Sequence, residues 1–154
     1  MSKIELGKKV PAFSLEGTSG TWSSKDAAGS TLVMYFYPKD NTTGCTQEGQ
    51  DFAALNAQFK KAKAVIVGVS PDSVASHEKF KAKMGFPFDL LADPDKKVCN
   101  LFEVYQEKSM YGRKYMGVER STFVIDDKGV VRQEWRKVKV KGHAEAVLAA
   151  VKSL

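Results

Sequence analysis

The sequence predicts a mixed α/β domain, a central sheet of parallel and antiparallel strands with helices packed against it. Three observations carry that prediction. Two continuous apolar runs, 31–37 (TLVMYFY) and 64–70 (AVIVGVS), read as strands covered on both faces. Each is followed by a segment whose apolar residues recur at helical spacing, the β-α-β-α order of a parallel core. The C-terminal third then reads β-β-α, with a hairpin signal at Asp126-Asp127-Lys128-Gly129.

The elements follow in order. The first 30 residues are rich in Gly, Ser and Thr and read as an N-terminal extension of turns and a small hairpin. After the 31–37 strand, residues 44–61 place Phe52, Leu55 and Phe59 on one helical face. The 64–70 strand leads to a helix capped by Asp72, carrying Val74, His77, Phe80 and Met84 inward and stopped by Gly85. A short strand at 88–91 precedes a helix at 95–105 with Val98, Leu101, Phe102 and Tyr105 inward. Residues 108–119 (KSMYGRKYMGVE) show no period, are punctuated by Gly112 and Gly117, and read as a loop. Strands at 121–126 and 130–140 precede a final helix with Ala144, Val147, Leu148 and Val151 along one stripe. This order is that of a thioredoxin-like fold, and nothing in the pattern divides residues 1–154 into more than one domain.

Composition excludes several classes. A chain of 154 residues buries a core without disulfide staples, and two cysteines are too few for a disulfide framework, so a reducing cytoplasm is the expected setting. No apolar run approaches the roughly 20 residues of a membrane span, and MSKIELGKKV lacks the apolar core of a secretory signal. Lys and Arg number 24 against 18 Asp and Glu, a net charge of +6, concentrated in 132–141 (RQEWRKVKVK). With Trp135, Val138 and Val140 interleaved, that segment reads as a strand with a solvated basic face. No nucleic-acid-binding motif accompanies it.

The chemistry-bearing segment is Pro38-Lys39-Asp40-Asn41-Thr42-Thr43-Gly44-Cys45. It leaves a buried strand and puts a thiol in the first turn of a helix, where unpaired N–H groups and the helix dipole favour a thiolate. The polar neighbours of Cys45 are no packing environment, so the residue reads as a nucleophile. The Thr42 hydroxyl can cap the turn or touch a ligand, Pro38 stiffens the loop, and Gly44 lets a ligand approach the backbone. A guanidinium would complete such a site.

The string YFYPKDNTTGCTQE resembles the active-site segment of peroxiredoxins, whose signature is Pro, three residues, Thr or Ser, two residues, then Cys. Pro38, Thr42 and Cys45 match it, and the surrounding residues are similar to the bacterioferritin comigratory protein (PrxQ) branch. The likeness runs from Val10-Pro11-Ala12-Phe13 to the terminal helix and includes Glu119-Arg120-Ser121-Thr122-Phe123, where Arg120 matches the family's arginine. The resemblance implies an antioxidant thiol peroxidase on a thioredoxin fold, with no metal, haem or flavin, in which Cys45 becomes a sulfenic acid. Hydrogen peroxide and organic hydroperoxides are the implied substrates. Thioredoxin, glutaredoxin or glutathione are the implied reductants, acting on a monomer or weak dimer. Two readings from other classes are a thioredoxin-like disulfide oxidoreductase, which lacks its Cys-x-x-Cys here, and a basic non-catalytic binding module on the same scaffold.

The chain departs from the family pattern at the resolving thiol. Many relatives carry it five residues after the first cysteine, where this chain has Gln50, or on the next helix in a segment matching 77–81, which contains none. The remaining thiol, Cys99, adjoins Val98 and Phe102 and reads as core or as a resolving thiol. Three recycling routes follow: an external thiol, which is preferred, an intramolecular disulfide to Cys99, or a disulfide between chains. His77 and His143 lie in no dyad motif and read as partly buried helix residues. Two cysteines and two histidines without close pairing do not read as a zinc site.

Overall fold

The computed structural model describes residues 4–154; the first three residues of the N-terminal segment lie outside the described residues. Strands β1 (Ser14–Gly17) and β2 (Gly20–Ser23) form the expected small hairpin, followed by a single 3-10 turn at Ser24–Ala27. Next come β3 (Thr31–Phe36), α1 (Thr43–Lys61), β4 (Ala64–Ser70), α2 (Val74–Met84), β5 (Asp89–Ala92) and α3 (Lys97–Leu101). The chain closes with β6 (Tyr105–Met110), β7 (Arg113–Val118), β8 (Ser121–Ile125), β9 (Val131–Trp135) and α4 (His143–Lys152). The main sheet runs β2-β1-β5-β4-β3-β8-β9, while β6 and β7 form a separate two-stranded sheet. β3, β4 and β5 are parallel and the other neighbours antiparallel, which is the mixed sheet the pattern predicts.

Side chains alternate along β3, so the sheet has a core on each side. Leu32, Met34 and Phe36 face a cluster with Trp22, Val98, Phe102 and Phe123. Val33 and Tyr35 face the opposite cluster, with Phe52 and Phe59 of α1, Phe80 of α2 and Val147 of α4. Full burial of each such side chain contributes roughly 1.5–3 kcal/mol. These two layers fix the end of β3, from which the functional loop springs.

Four local expectations are corrected. The helix expected at 95–105 is one short helix, because Lys96 and Glu103 adopt left-handed φ of 58° and 56° at either end. Residues 108–119 are no loop: β6 and β7 form a hairpin turning at Tyr111-Gly112, both with positive φ. Most of its residues are exposed, so neither face carries the apolar alternation that marks a half-buried strand. The last strand ends at Trp135, and 136–141 is a basic loop whose Val138 amide donates to the Arg120 carbonyl. Finally, Ser73, not Asp72, caps α2, its hydroxyl accepting from the Ser76 amide.

Candidate active site

β3 delivers the chain to Tyr37 and Pro38 at the carboxyl edge of the parallel strands. The loop through Asp40 and Asn41 then feeds α1, with Thr42 at its N-cap, so Cys45 is the third helical residue. The thiol is 2% exposed, at the rim of the cluster containing Tyr35 and Phe52. Arg120 is 75 positions away in sequence, but β8 pairs antiparallel with β3 and Ser121 sits opposite Phe36. The residue just before Ser121 therefore projects over the start of α1. Its Nη2 donates to Cys45 Sγ at 3.4 Å and its Nη1 to Glu48 Oε1 at 2.5 Å.

Gly44 has a use besides the close ligand approach expected of it. A Cβ there would lie 3.1 Å from Arg120 Nη2, so the missing side chain admits the guanidinium beside the helix start. Thr42 makes no capping hydrogen bond; its hydroxyl donates back to the Lys39 carbonyl at 2.9 Å. That spends its one proton, leaving the oxygen as an acceptor toward whatever enters the site.

Glu48, the final glutamate of the YFYPKDNTTGCTQE string, has no role legible from the sequence alone. It lies three residues after Cys45, on the same helix face, and is 1% exposed. Burial raises its carboxyl to about 7, against the opposing pull of Arg120, and among the described residues its Oε2 has no hydrogen-bond partner. For Arg120, burial lowers the pKa, but the charges of Glu48 and Cys45 outweigh it, so the guanidinium stays charged. Lys108, placed in the presumed loop, reaches back from β6 to donate to the Val118 carbonyl at 2.7 Å. Burial and the Arg120 charge lower its pKa, against the opposing pull of the Cys45 and Glu119 charges. No sequence period marks Lys108, because only the β6–β7 pairing aims it inward.

Cys99 lies elsewhere. It is 0% exposed, in the cluster on the other side of the sheet from Cys45, and its amide donates to the buried Asp93 carboxylate at 2.7 Å. Burial raises its thiol well above the ordinary range, and the Asp93 charge adds to that.

Both histidines are more buried than expected. His143 Nε2 meets the Thr122 hydroxyl at 2.8 Å, and burial, then Arg120, lowers its pKa to about 4. His77 is 0% exposed and pairs with Asp40. Among the described residues, Asp40, Asp72 and His77 offer atoms within 4.8 Å of one another, the spacing of metal ligands. Protein donors and acceptors already engage all three side chains, so the group is a hydrogen-bond network.

Comparison with known proteins gives consistent results. The AhpC/TSA family model matches residues 6–134. Peroxiredoxin Bcp of Xanthomonas campestris pv. campestris is 56% identical over 151 residues, covering 97% of this chain and 94% of that one. The structure of a Xylella fastidiosa PrxQ mutant superposes with a TM-score of 0.92 at 41% identity, covering 99% of this chain and 98% of that one. A Xanthomonas campestris bacterioferritin comigratory protein, studied for its alkyl peroxide reduction activity, superposes at 0.87 with 53% identity over 92% of this chain and 90% of that one.

Proposed function

The chain belongs to the AhpC/TSA family, in its peroxiredoxin Bcp (PrxQ) branch, and on that premise we propose that Cys45 reduces hydroperoxides and is recycled by an external thiol. Membership makes it a peroxidase on a thioredoxin-like fold. Among the described residues no helix is long and apolar enough to cross a membrane. Residues 1–154 act as one catalytic domain.

The observation that carries the site reading is the Arg120 fork, one nitrogen on Cys45 Sγ and the other on Glu48. A charge that cannot be titrated away thus sits against the sulfur, in a site largely closed to water. The thiolate attacks the terminal oxygen of a hydroperoxide. The S–O bond forms as the O–O bond breaks, sulfur is oxidised by two electrons to a sulfenic acid, and the leaving alkoxide or hydroxide takes a proton to depart as alcohol or water. Arg120 and the Cys45 amide offset the charge that develops on the oxygens. The Thr42 oxygen accepts from the peroxide O–H and orients it, while Pro38 keeps the loop rigid without offering a competing donor.

Recycling is assigned to thioredoxin, glutaredoxin or glutathione because Cys99 lies across the sheet from Cys45. A bond between them needs Cα atoms within about 7 Å, and so the unpacking of one core layer. Cys99 is read as packing, and disulfide exchange and a non-catalytic role fall behind the peroxidase reading. The experiment is steady-state peroxide turnover by Cys99→Ser with each of the three reductants. Turnover equal to the parent's is expected with at least one of them. Loss of turnover with all three, with the first oxidation of Cys45 intact, would return Cys99 to the cycle.

A further inference from the structure

Thr42 acts in the site reading through the direction of its hydroxyl, and that direction is set by one peptide unit. The Lys39 carbonyl accepts from Thr42 Oγ1 at 2.9 Å. The N–H of the same peptide, on Asp40, donates to Asp72 Oδ2 at 2.8 Å. Asp72 is in turn held by the Ser70 hydroxyl at 2.7 Å, at the end of β4. The plane of the Lys39–Asp40 peptide is therefore fixed from both sides.

The side chain of Asp40 is fixed as firmly. Oδ1 accepts from the Tyr37 hydroxyl at 2.6 Å, and Oδ2 lies 2.8 Å from the Ser76 hydroxyl and 2.7 Å from His77 Nδ1. His77 Nε2 lies 2.9 Å from the Leu91 carbonyl, which can only accept. Its ring thus spans from β5 to the loop, with hydrogen bonds at both nitrogens. Burial raises the Asp40 pKa, but the bonds from His77, Tyr37 and Ser76 and the His77 charge outweigh it and hold the carboxyl below its ordinary value. The next residue, Asn41, has a φ of 60° and accepts from Lys83 Nζ at 3.0 Å, a third tie to α2.

We propose that His77 and Asp72 are positioning residues for the peroxide step, aligning the Thr42 hydroxyl through the Lys39–Asp40 peptide. The inference rests on the reading of Thr42 as a peroxide contact, and its consequence is that α2 and the end of β4 govern a group on the loop before α1. A buried histidine kept for fold stability alone has no reason to act through Thr42.

The test compares oxidation of Cys45 by hydrogen peroxide with its alkylation by iodoacetamide, which needs the thiolate and no Thr42 acceptor. The variants are His77→Gln, Asp72→Ala and Asp72→Asn, each in the parent and in a Thr42→Val background. His77→Gln and Asp72→Ala are expected to slow peroxide oxidation about 10-fold in the parent and to leave alkylation unchanged. Asp72→Asn, whose amide oxygen still accepts from Asp40, is expected to recover the rate. In Thr42→Val the same substitutions are expected to cost nothing more, the mark of residues acting through one group. A Thr42→Val variant as fast as the parent overturns the reading of Thr42 and this inference together. A slow Thr42→Val variant in which His77→Gln or Asp72→Ala still costs a further 10-fold or so overturns the inference alone. So does equal loss of alkylation, or no loss at all. If His77→Gln fails to fold, the half-buried Asp72 pair decides by itself.

Discussion

Replacing Glu48 with Gln isolates the energetic consequence of burying a carboxylate beside the nucleophile. The side chain is 1% exposed and its carboxyl rises from the ordinary 4.5 to about 7, chiefly through burial. A raised pKa means the folded chain holds the proton more tightly than the unfolded chain. Its stabilising contribution is present below about 4.5, declines as pH rises, and is gone above about 7. At 1.36 kcal/mol per pKa unit, the loss across that window is about 3 kcal/mol. Glutamine keeps the shape and an oxygen for Arg120 Nη1 but has no such titration. Urea unfolding of parent and Glu48→Gln, with both thiols reduced, should therefore be compared at pH 4.5 and pH 8. The difference between the two stabilities is expected to move toward the variant by about 3 kcal/mol, the other carboxylates cancelling in the comparison. A difference constant to within about 0.5 kcal/mol would refute the claim that Glu48 is protonated far above its ordinary value.

Two further substitutions test packing and the guanidinium fork. A Cβ on Gly49 would lie 2.4 Å from Phe86 Cζ, and Phe86 is locked between Phe88, stacked at 5.3 Å, and Phe80, edge-on at 5.1 Å. Gly49→Ala is expected to cost about 1–3 kcal/mol in urea unfolding, and an unchanged midpoint would contradict that packing. Arg120→Lys keeps the charge but cannot reach Cys45 and Glu48 together, so single-turnover peroxide oxidation should slow about 10²–10³-fold. A rate within a few-fold of the parent would show that charge alone suffices.

Much of this was legible in the sequence, for identifiable reasons. β3 and β4 are apolar on both faces, and α4 carries a clean stripe, so each could be read from burial alone. Cys45, Thr42 and Pro38 lie in one short segment, and their spacing places them together whatever the distant fold. Arg120 needed the register of β8 against β3, which periodicity does not encode; only the family likeness of the 119–123 segment pointed to it. The β6–β7 hairpin was missed because its side chains are mostly solvated, and with it the placement of Lys108. Asp72 looked like a helix cap and His77 like a packing residue because each has a common local role. Their shared role in holding Asp40 appears only when α2 is laid against the loop. Cys99 was ambiguous for the same reason: only the two-sided sheet separates it from Cys45.

The central claim is that this architecture turns Cys45 into a peroxide-specific nucleophile. The most direct measurement is the second-order rate of Cys45 oxidation by stoichiometric hydrogen peroxide in Cys99→Ser protein, followed by mass spectrometry as the sulfenic acid forms. A rate roughly 10³-fold or more above that of free cysteine is expected, given a preorganised guanidinium and a fixed Thr42 acceptor. A rate no faster than that of free cysteine would contradict the account.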